Sequence, residues 1–199
     1  MVTVPEITKR VYREHIARYG EPDLALMYDK STVPQGRPLP LEQVLVMCWR
    51  PSKDVDITTF ATVGMSSRLV PGTSVRLELH FSIQGRVEEP TERSATQFLA
   101  NMANYPWDHQ RALDWWHTLV NPGPIPGFPN CSSILLHPRF TPEGWDHIHF
   151  NNGEVVRILN AVPITEAERS LAATSRQTLL DYWSENDTWI FSDRGQCRG

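Results

Sequence analysis

His147 and His149 are the two residues of this chain whose spacing comes nearest to metal chemistry. On a strand, residues i and i+2 point the same way, and two imidazoles so placed can ligate a metal. A third ligand is needed, and His80 or His137 could supply it. That arrangement would make a small metal-dependent enzyme. The run Trp145 to His149 carries no spaced carboxylate partner, so two half-exposed histidines on a sheet face explain it more simply. His109, Asp114 and His117 sit near one another without a serine or cysteine in an activated setting. The chain has no G-x-S-x-G elbow, Walker-type loop or G-x-G-x-x-G loop. The expectation is a non-enzyme without metal or cofactor.

Such residues need elements to hold them, and a chain of 199 residues favours one domain. Apolar residues at 40% and charged residues at 21% are ordinary globular values. A net charge of −4 argues against a nucleic-acid binder, which presents a basic stripe to phosphates. Cys48, Cys131 and Cys197 are odd in number and widely spaced, so they form neither a disulfide framework nor a zinc ribbon. Cys48 lies in an apolar run and reads as a buried hydrophobe. Charged Glu6, Lys9, Arg10 and Arg13 occupy the place of a signal peptide's apolar stretch. No run reaches the roughly 18 apolar residues of a membrane span. The expected location is the cytoplasm.

The first helix should run from a Thr3 cap, with Glu6 at capping-box spacing, to Gly20 and Pro22. Residues 30–40 are proline-rich and read as a loop. Leu41 to Trp49 and Ile57 to Met65 read as strands. Thr73 to Ile83 alternates cleanly, which predicts one face on the core and the other in water. Ser94 and Gln97 look like a second capping box. Pro106 should separate that helix from another over Asp108 to Val120, striped by Ala112, Trp115, Trp116 and Leu119. Asn121 to Asn130 holds four prolines and two glycines and must be a semi-rigid surface loop. Strands follow at Cys131 to Leu136, Trp145 to Phe150 and Glu154 to Val162, the last two joined by the tight turn Asn151-Asn152-Gly153. A last helix starts at Thr165 with Glu168 at capping-box spacing. Its inner stripe is Leu171, Thr174, Ser175, Thr178, Leu179 and Tyr182. The fold class expected is α+β: a mixed, largely antiparallel sheet flanked by helices in a single domain over residues 1–186, with a tail over 187–199.

Three groups could serve a binding role. Gly64, Met65, Ser66 and Ser67 form either a tight strand-to-loop turn or a partner-contact loop, with Met65 as an adaptable apolar contact. Trp116, beside Trp115, could anchor an interface. Residues 165–193 hold six acids, among them Glu166, Asp181, Glu185 and Asp187, against Arg169 and Arg176. That is either a solvated helix face or an acidic surface that steers and blocks a basic partner.

Thr59 to Ser67 (TFATVGMSS), Val75 to Leu79 (VRLEL) and Val162 to Glu168 (VPITEAE), followed by Leu179-Leu180, resemble the suppressor-of-fused domain. That family carries a T-x-G-M-S strand end, then an R-x-E-L strand, then a P-[LI]-T-x-x-E helix start. The resemblance spans residues 57–180 and includes the Pro/Gly loop followed by a strand. The chain is too short for the second lobe of the animal protein and looks like the bacterial single-lobe form. The resemblance implies binding without catalysis. It points to an immunity protein that neutralises a cognate toxin effector, such as a basic nuclease, with no direct nucleic-acid or membrane contact. The alternative it leaves is a module that sequesters a peptide or regulator by adding an extended segment to a sheet edge.

Overall fold

The computed structural model describes residues 4–29, 40–140 and 144–194. Helix α1 (Glu6–Tyr19) buries Ile7, Val11 and His15 along one stripe. Pro5 occupies its N-cap without a side-chain bond, and Thr3 lies outside the described residues. Gly20 ends it, its N–H donating to the Ile16 carbonyl at 2.9 Å.

Residues Leu24–Asp29 form β1, an element that neither alternation nor β-rich composition announces. Next come β2 (Gln43–Trp49), β3 (Ile57–Val63) and, after a single helical turn over Met65–Ser67, β4 (Arg76–Gln84). Helix α2 (Glu89–Asp108) is followed by β5 (Thr118–Val120), β6 (Ser133–His137), β7 (His147–His149) and β8 (Val155–Ile164). Helices α3 (Glu166–Thr174) and α4 (Arg176–Glu185) complete the domain.

The strands make one sheet in the order β1-β2-β3-β4-β8-β6-β5. Among the strands of the described residues β4 and β8 pair in parallel and the other strand pairs are antiparallel, as expected for an α+β fold of this kind. The other edge of β8 is shared end to end, β7 pairing its first residues and β6 its last. The turn Asn151-Asn152-Gly153 joins β7 to β8 as expected, Gly153 N–H donating to the Phe150 carbonyl.

Leu77, Leu79, Phe81 and Ile83 of β4 pack with α2 and with Phe128 of the Pro/Gly loop. The opposite face of β4 is not solvated: Glu78, His80 and Ser82 are all buried. Helix α1 and the β7 hairpin cover it, Ile7 and Val11 meeting Met47, Ala61, Ile148 and Ile158. Alternation identifies an apolar face but does not say what lies over the polar one. A third cluster joins Leu135, Val162 and Ile164 to Leu179 and Trp183 of α4.

Four helical expectations are corrected. Pro106 lies inside α2, in its last turn, so it breaks little of the hydrogen-bond ladder and does not open a new helix. Ser94 is interior to α2, its hydroxyl donating to the Pro90 carbonyl at 2.8 Å, and caps nothing. No second helix follows over 109–120, because Gln110 (φ 49) and Trp116 (φ 68) adopt left-handed backbone and the chain then enters β5. The last helix is two: extended Ser175 ends α3 and caps α4, its hydroxyl accepting the Thr178 N–H at 3.0 Å. Thr174 and Ser175 are therefore exposed, while Leu179 and Trp183 turn inward.

Candidate partner-binding site

Glu78 is fully buried in the middle of β4, and no basic side chain among the described residues bonds to it. Its Oε1 accepts the Ser66 hydroxyl at 2.6 Å and the N–H groups of Gly64 and Ser66, each at 3.0 Å. Its Oε2 accepts the Thr62 hydroxyl at 2.6 Å. Burial raises the carboxyl's pKa, and these donors partly oppose it. Arg76 closes the arrangement from outside, donating to the Ser66 carbonyl at 2.7 Å. The turn Gly64 to Ser67 is thus wrapped around a carboxylate. Met65 and Ser66 are sealed from solvent, and of the four turn residues only Ser67 retains partial exposure.

Glu168 has a comparable place. It completes the capping box of α3, accepting the Thr165 N–H at 2.7 Å while the Thr165 hydroxyl accepts the Glu168 N–H at 3.2 Å. It is also buried and accepts the Trp183 indole N–H and the Arg194 Nε, both at 2.8 Å.

His15 and His80 meet under α1, Nε2 to Nε2 at 3.0 Å. His15 Nδ1 lies 2.9 Å from the Val11 carbonyl, which can only accept. Nδ1 therefore carries the His15 proton, and His80 donates through Nε2. The Trp49 ring stacks on His15 at 6.1 Å and Trp145 meets it edge-on at 4.9 Å. Burial drives the His15 pKa down to about 4 and His80 well below its ordinary value, so both rings are neutral at pH 7.

This pairing removes His80 as a ligand partner for His147 and His149. Those two rings lie 5.4 Å apart, with His147 Nδ1 bonded to Asp146 at 3.1 Å. His137 packs edge-on against Trp116 at 4.6 Å instead. Among the described residues no group of three or more His, Cys, Asp or Glu is placed to hold a metal. Burial pushes the Cys48 thiol up to about 12 and Cys131 up to about 11, far from a thiolate's range. Cys197 lies outside the described residues.

The C-terminal carboxylates divide into two kinds. Glu166 is exposed but ion-paired with Arg169 within α3. Asp181, Glu185 and Asp187 are exposed on and just beyond α4. Asp181 accepts only from Gln177, at 2.7 Å, and no ion pair engages the three acids among the described residues. Trp116 is half-buried, its ring under the Arg176 guanidinium at 4.8 Å. Arg176 opens α4, and Trp116 packs against the buried cluster that holds Leu179 and Trp183, while Asp181 and Glu185 stand exposed on the helix. The turn at 64–67 packs instead against β4 and α1.

The family profile described as Suppressor of fused protein (SUFU) matches residues 39–194. The chain belongs to the suppressor-of-fused family. The buried contacts above show what the family's motif residues do here: Thr62, Gly64 and Ser66 receive Glu78, and Thr165 and Glu168 build the α3 cap. A suppressor-of-fused homologue from Neisseria gonorrhoeae FA 1090 superposes with a TM-score of 0.67 at 18% identity, over 96% of both chains. A Sufu protein solved in complex with Fu matches 96% of this chain and 91% of its own, with a TM-score of 0.63 and 12% identity. Drosophila Suppressor of Fused matches with a TM-score of 0.60 and 11% identity over 94% of this chain and 48% of its own. No curated protein sequence matches. These likenesses carry the fold, and the family is one of partner-binding regulators. No helix among the described residues is long and apolar enough to cross a membrane.

Sequence reasoning missed the His15–His80 pair, because its members stand 65 residues apart with no spacing rule between them. It missed the burial of Glu78 for the same reason that it put that face of β4 in water. It also missed Arg50–Glu92, a bidentate pair at 2.7 and 2.8 Å that ties the residue after β2 to α2.

Proposed function

We propose that this chain is a non-catalytic binding protein of the immunity type, acting in the cytoplasm to neutralise a cognate toxin effector by direct contact. The observation that supports this reading is how the polar groups are used. Glu78, Glu168, Glu92 and the His15–His80 pair are each consumed by internal bonds. On and just beyond α4, Asp181, Glu185 and Asp187 stand exposed without ion pairs among the described residues, and half-buried Trp116 lies under Arg176 at the start of the same helix. Three such carboxylates, two on α4 and one just past its end, suit a basic partner such as a nuclease cleft. The half-buried indole suits the apolar centre of an interface. Co-expression with the toxin encoded beside this gene should yield a complex whose on-rate falls with added salt and with Asp181→Lys/Glu185→Lys. A chain that neither binds nor protects against that toxin refutes the reading.

A second reading, sequestration of an extended segment at a sheet edge, is favoured by one observation. The sheet is open, and β1 and β5 each have a single strand neighbour among the described residues.

A further inference from the structure

Val63, Leu45 and Met27 lie directly opposite one another across β3, β2 and β1. The row stops at Met27, which is 46% exposed on the last strand of the sheet. Above it runs α1, whose Tyr12 closes the other wall of a groove of about 350 Å³. Residues directly opposite share a face, so a strand added beyond β1 would place a side chain in line with Met27 and extend the row under the helix.

Strand β1 itself carries little of the usual edge protection. Natural edge strands carry lysine, proline or inward charges that discourage pairing. Strand β1 reads Leu-Ala-Leu-Met-Tyr-Asp, with its one charge in the last position. No strand other than β2 pairs with it among the described residues. Thr8 also lines the groove, and its hydroxyl is buried without a hydrogen-bond partner among the described residues.

The charge of the rim selects the occupant. The chain as a whole carries −4, yet α1 sets Lys9, Arg10, Arg13 and Arg18 against Glu6 and Glu14. Arg10 is committed to Glu154 at 2.6 Å. Lys9 and Arg13 stand at the groove, exposed, and share the single carboxylate of Glu6 at 3.4 and 3.8 Å. Antiparallel pairing of β1 with a second copy of itself would put both α1 helices on one face of the joined sheet. It would then bring two such basic rims together, which charge repulsion opposes.

We infer that the β1 edge and the α1 groove form a docking site for an extended, apolar-alternating segment of a partner protein with an acidic flank. The segment pairs with β1, sets an apolar side chain beside Met27 and presents its acids to Lys9 and Arg13. This deepens the sheet-edge reading and is independent of the α4 face.

The full chain should be titrated with a fluorescent synthetic peptide of about ten residues, alternating Val and Thr and ending in glutamates. A twin peptide ending in lysines serves as the comparison. The acidic peptide should bind saturably and slow hydrogen exchange of the amides of Leu24–Asp29. The lysine twin should bind about tenfold more weakly, and Met27→Lys should abolish binding. Lys9→Glu/Arg13→Glu, on exposed helix positions, should reverse the preference between the two peptides. Asp181→Lys/Glu185→Lys should leave peptide binding unchanged while weakening capture of a toxin, so the two sites can fail separately. Absence of saturable binding, protection centred on another strand, or an unaltered preference in Lys9→Glu/Arg13→Glu would each overturn the proposal. So would a dimer of the free chain that protects β1, which would assign the edge to a second copy.

Discussion

The Glu78 carboxylate of β4 receives the Ser66 hydroxyl at 2.6 Å in a part of the core closed to water. That one bond joins two sequence motifs, because Ser66 belongs to the turn after β3 and Glu78 to the middle of the next strand. Four donors converge on the carboxylate, two of them backbone N–H groups that a tight turn would otherwise leave unpaired. Glu78→Ala should therefore cost about 3 kcal/mol or more, since it orphans several buried donors at once. Glu78→Gln should cost less, because its carbonyl can take the place of Oε1 and its amide can donate to Thr62. Urea denaturation of the two variants checks the order; equal losses would mean that shape, not hydrogen bonding, holds the turn.

Gly64 is held to its identity by the same turn. Its φ is 125, and a Cβ added there would lie 2.9 Å from the Gln43 carbonyl oxygen, a backbone atom with little room to move. Gly64→Ala should lower stability by about 2 kcal/mol or more. Gly72→Ala makes the proper comparison, since that glycine has φ 72 but open space around it. The Gly64 variant should melt at a clearly lower temperature than the Gly72 variant. Matching melting temperatures would show that the approach to Gln43 relaxes freely.

The His15–His80 pair makes stability depend on acid. Both rings are neutral in the folded protein and depressed in pKa, so below pH 6.5 the unfolded chain binds protons that the folded chain refuses. Stability should fall as pH drops from about 6.5 and continue falling to about 4, where His15 titrates in place. His15 alone accounts for about 3 kcal/mol of that loss, at roughly 1.4 kcal/mol per pH unit. His15→Gln keeps an acceptor for the His80 N–H and should flatten the slope between those limits. An unchanged slope in chemical denaturation at several pH values would assign the acid sensitivity to other groups.

Much of this fold was legible in the sequence where a single residue type has a local reason for its place. Gly20 after the first helix, the Asn-Asn-Gly turn before β8 and the Thr165–Glu168 capping box all lie where spacing put them. The missed elements had their causes at a distance. Strand β1 is defined by its pairing to β2 and by little of its own composition. Residues 108–120 carry a helical stripe, but the Trp116 N–H donates to the Leu136 carbonyl of β6 and the Leu136 N–H donates to the His117 carbonyl, which holds the segment at the sheet edge. The polar side of β4 is polar because it is wired internally: Glu78 to the turn, His80 to His15, Ser82 to Thr59 at 3.2 Å. Of the expected binding residues, the structure gathers Trp116 with α4 and gives Gly64, Met65 and Ser66 an interior place.

The Arg194–Glu168 pair decides how far the cooperative domain extends. Arg194 donates to Glu168 through Nε at 2.8 Å and also to the Pro163 carbonyl, while Phe191 is buried and its carbonyl accepts the Gln84 N–H at 2.7 Å. These contacts pin residues 187–194 across β4 and the start of α3. Arg194→Ala should destabilise the protein by about 2 kcal/mol, since it removes a charge-assisted partner from a buried carboxylate. Glu168→Ala should cost more, because the α3 cap and the Trp183 indole lose their acceptor as well. In a double-mutant cycle the two should couple by about 1 kcal/mol or more, beyond the few tenths expected of independent sites. Coupling of that size makes the segment part of the folded unit, whereas additive losses would leave a tail from Asp187 onward that unfolds on its own.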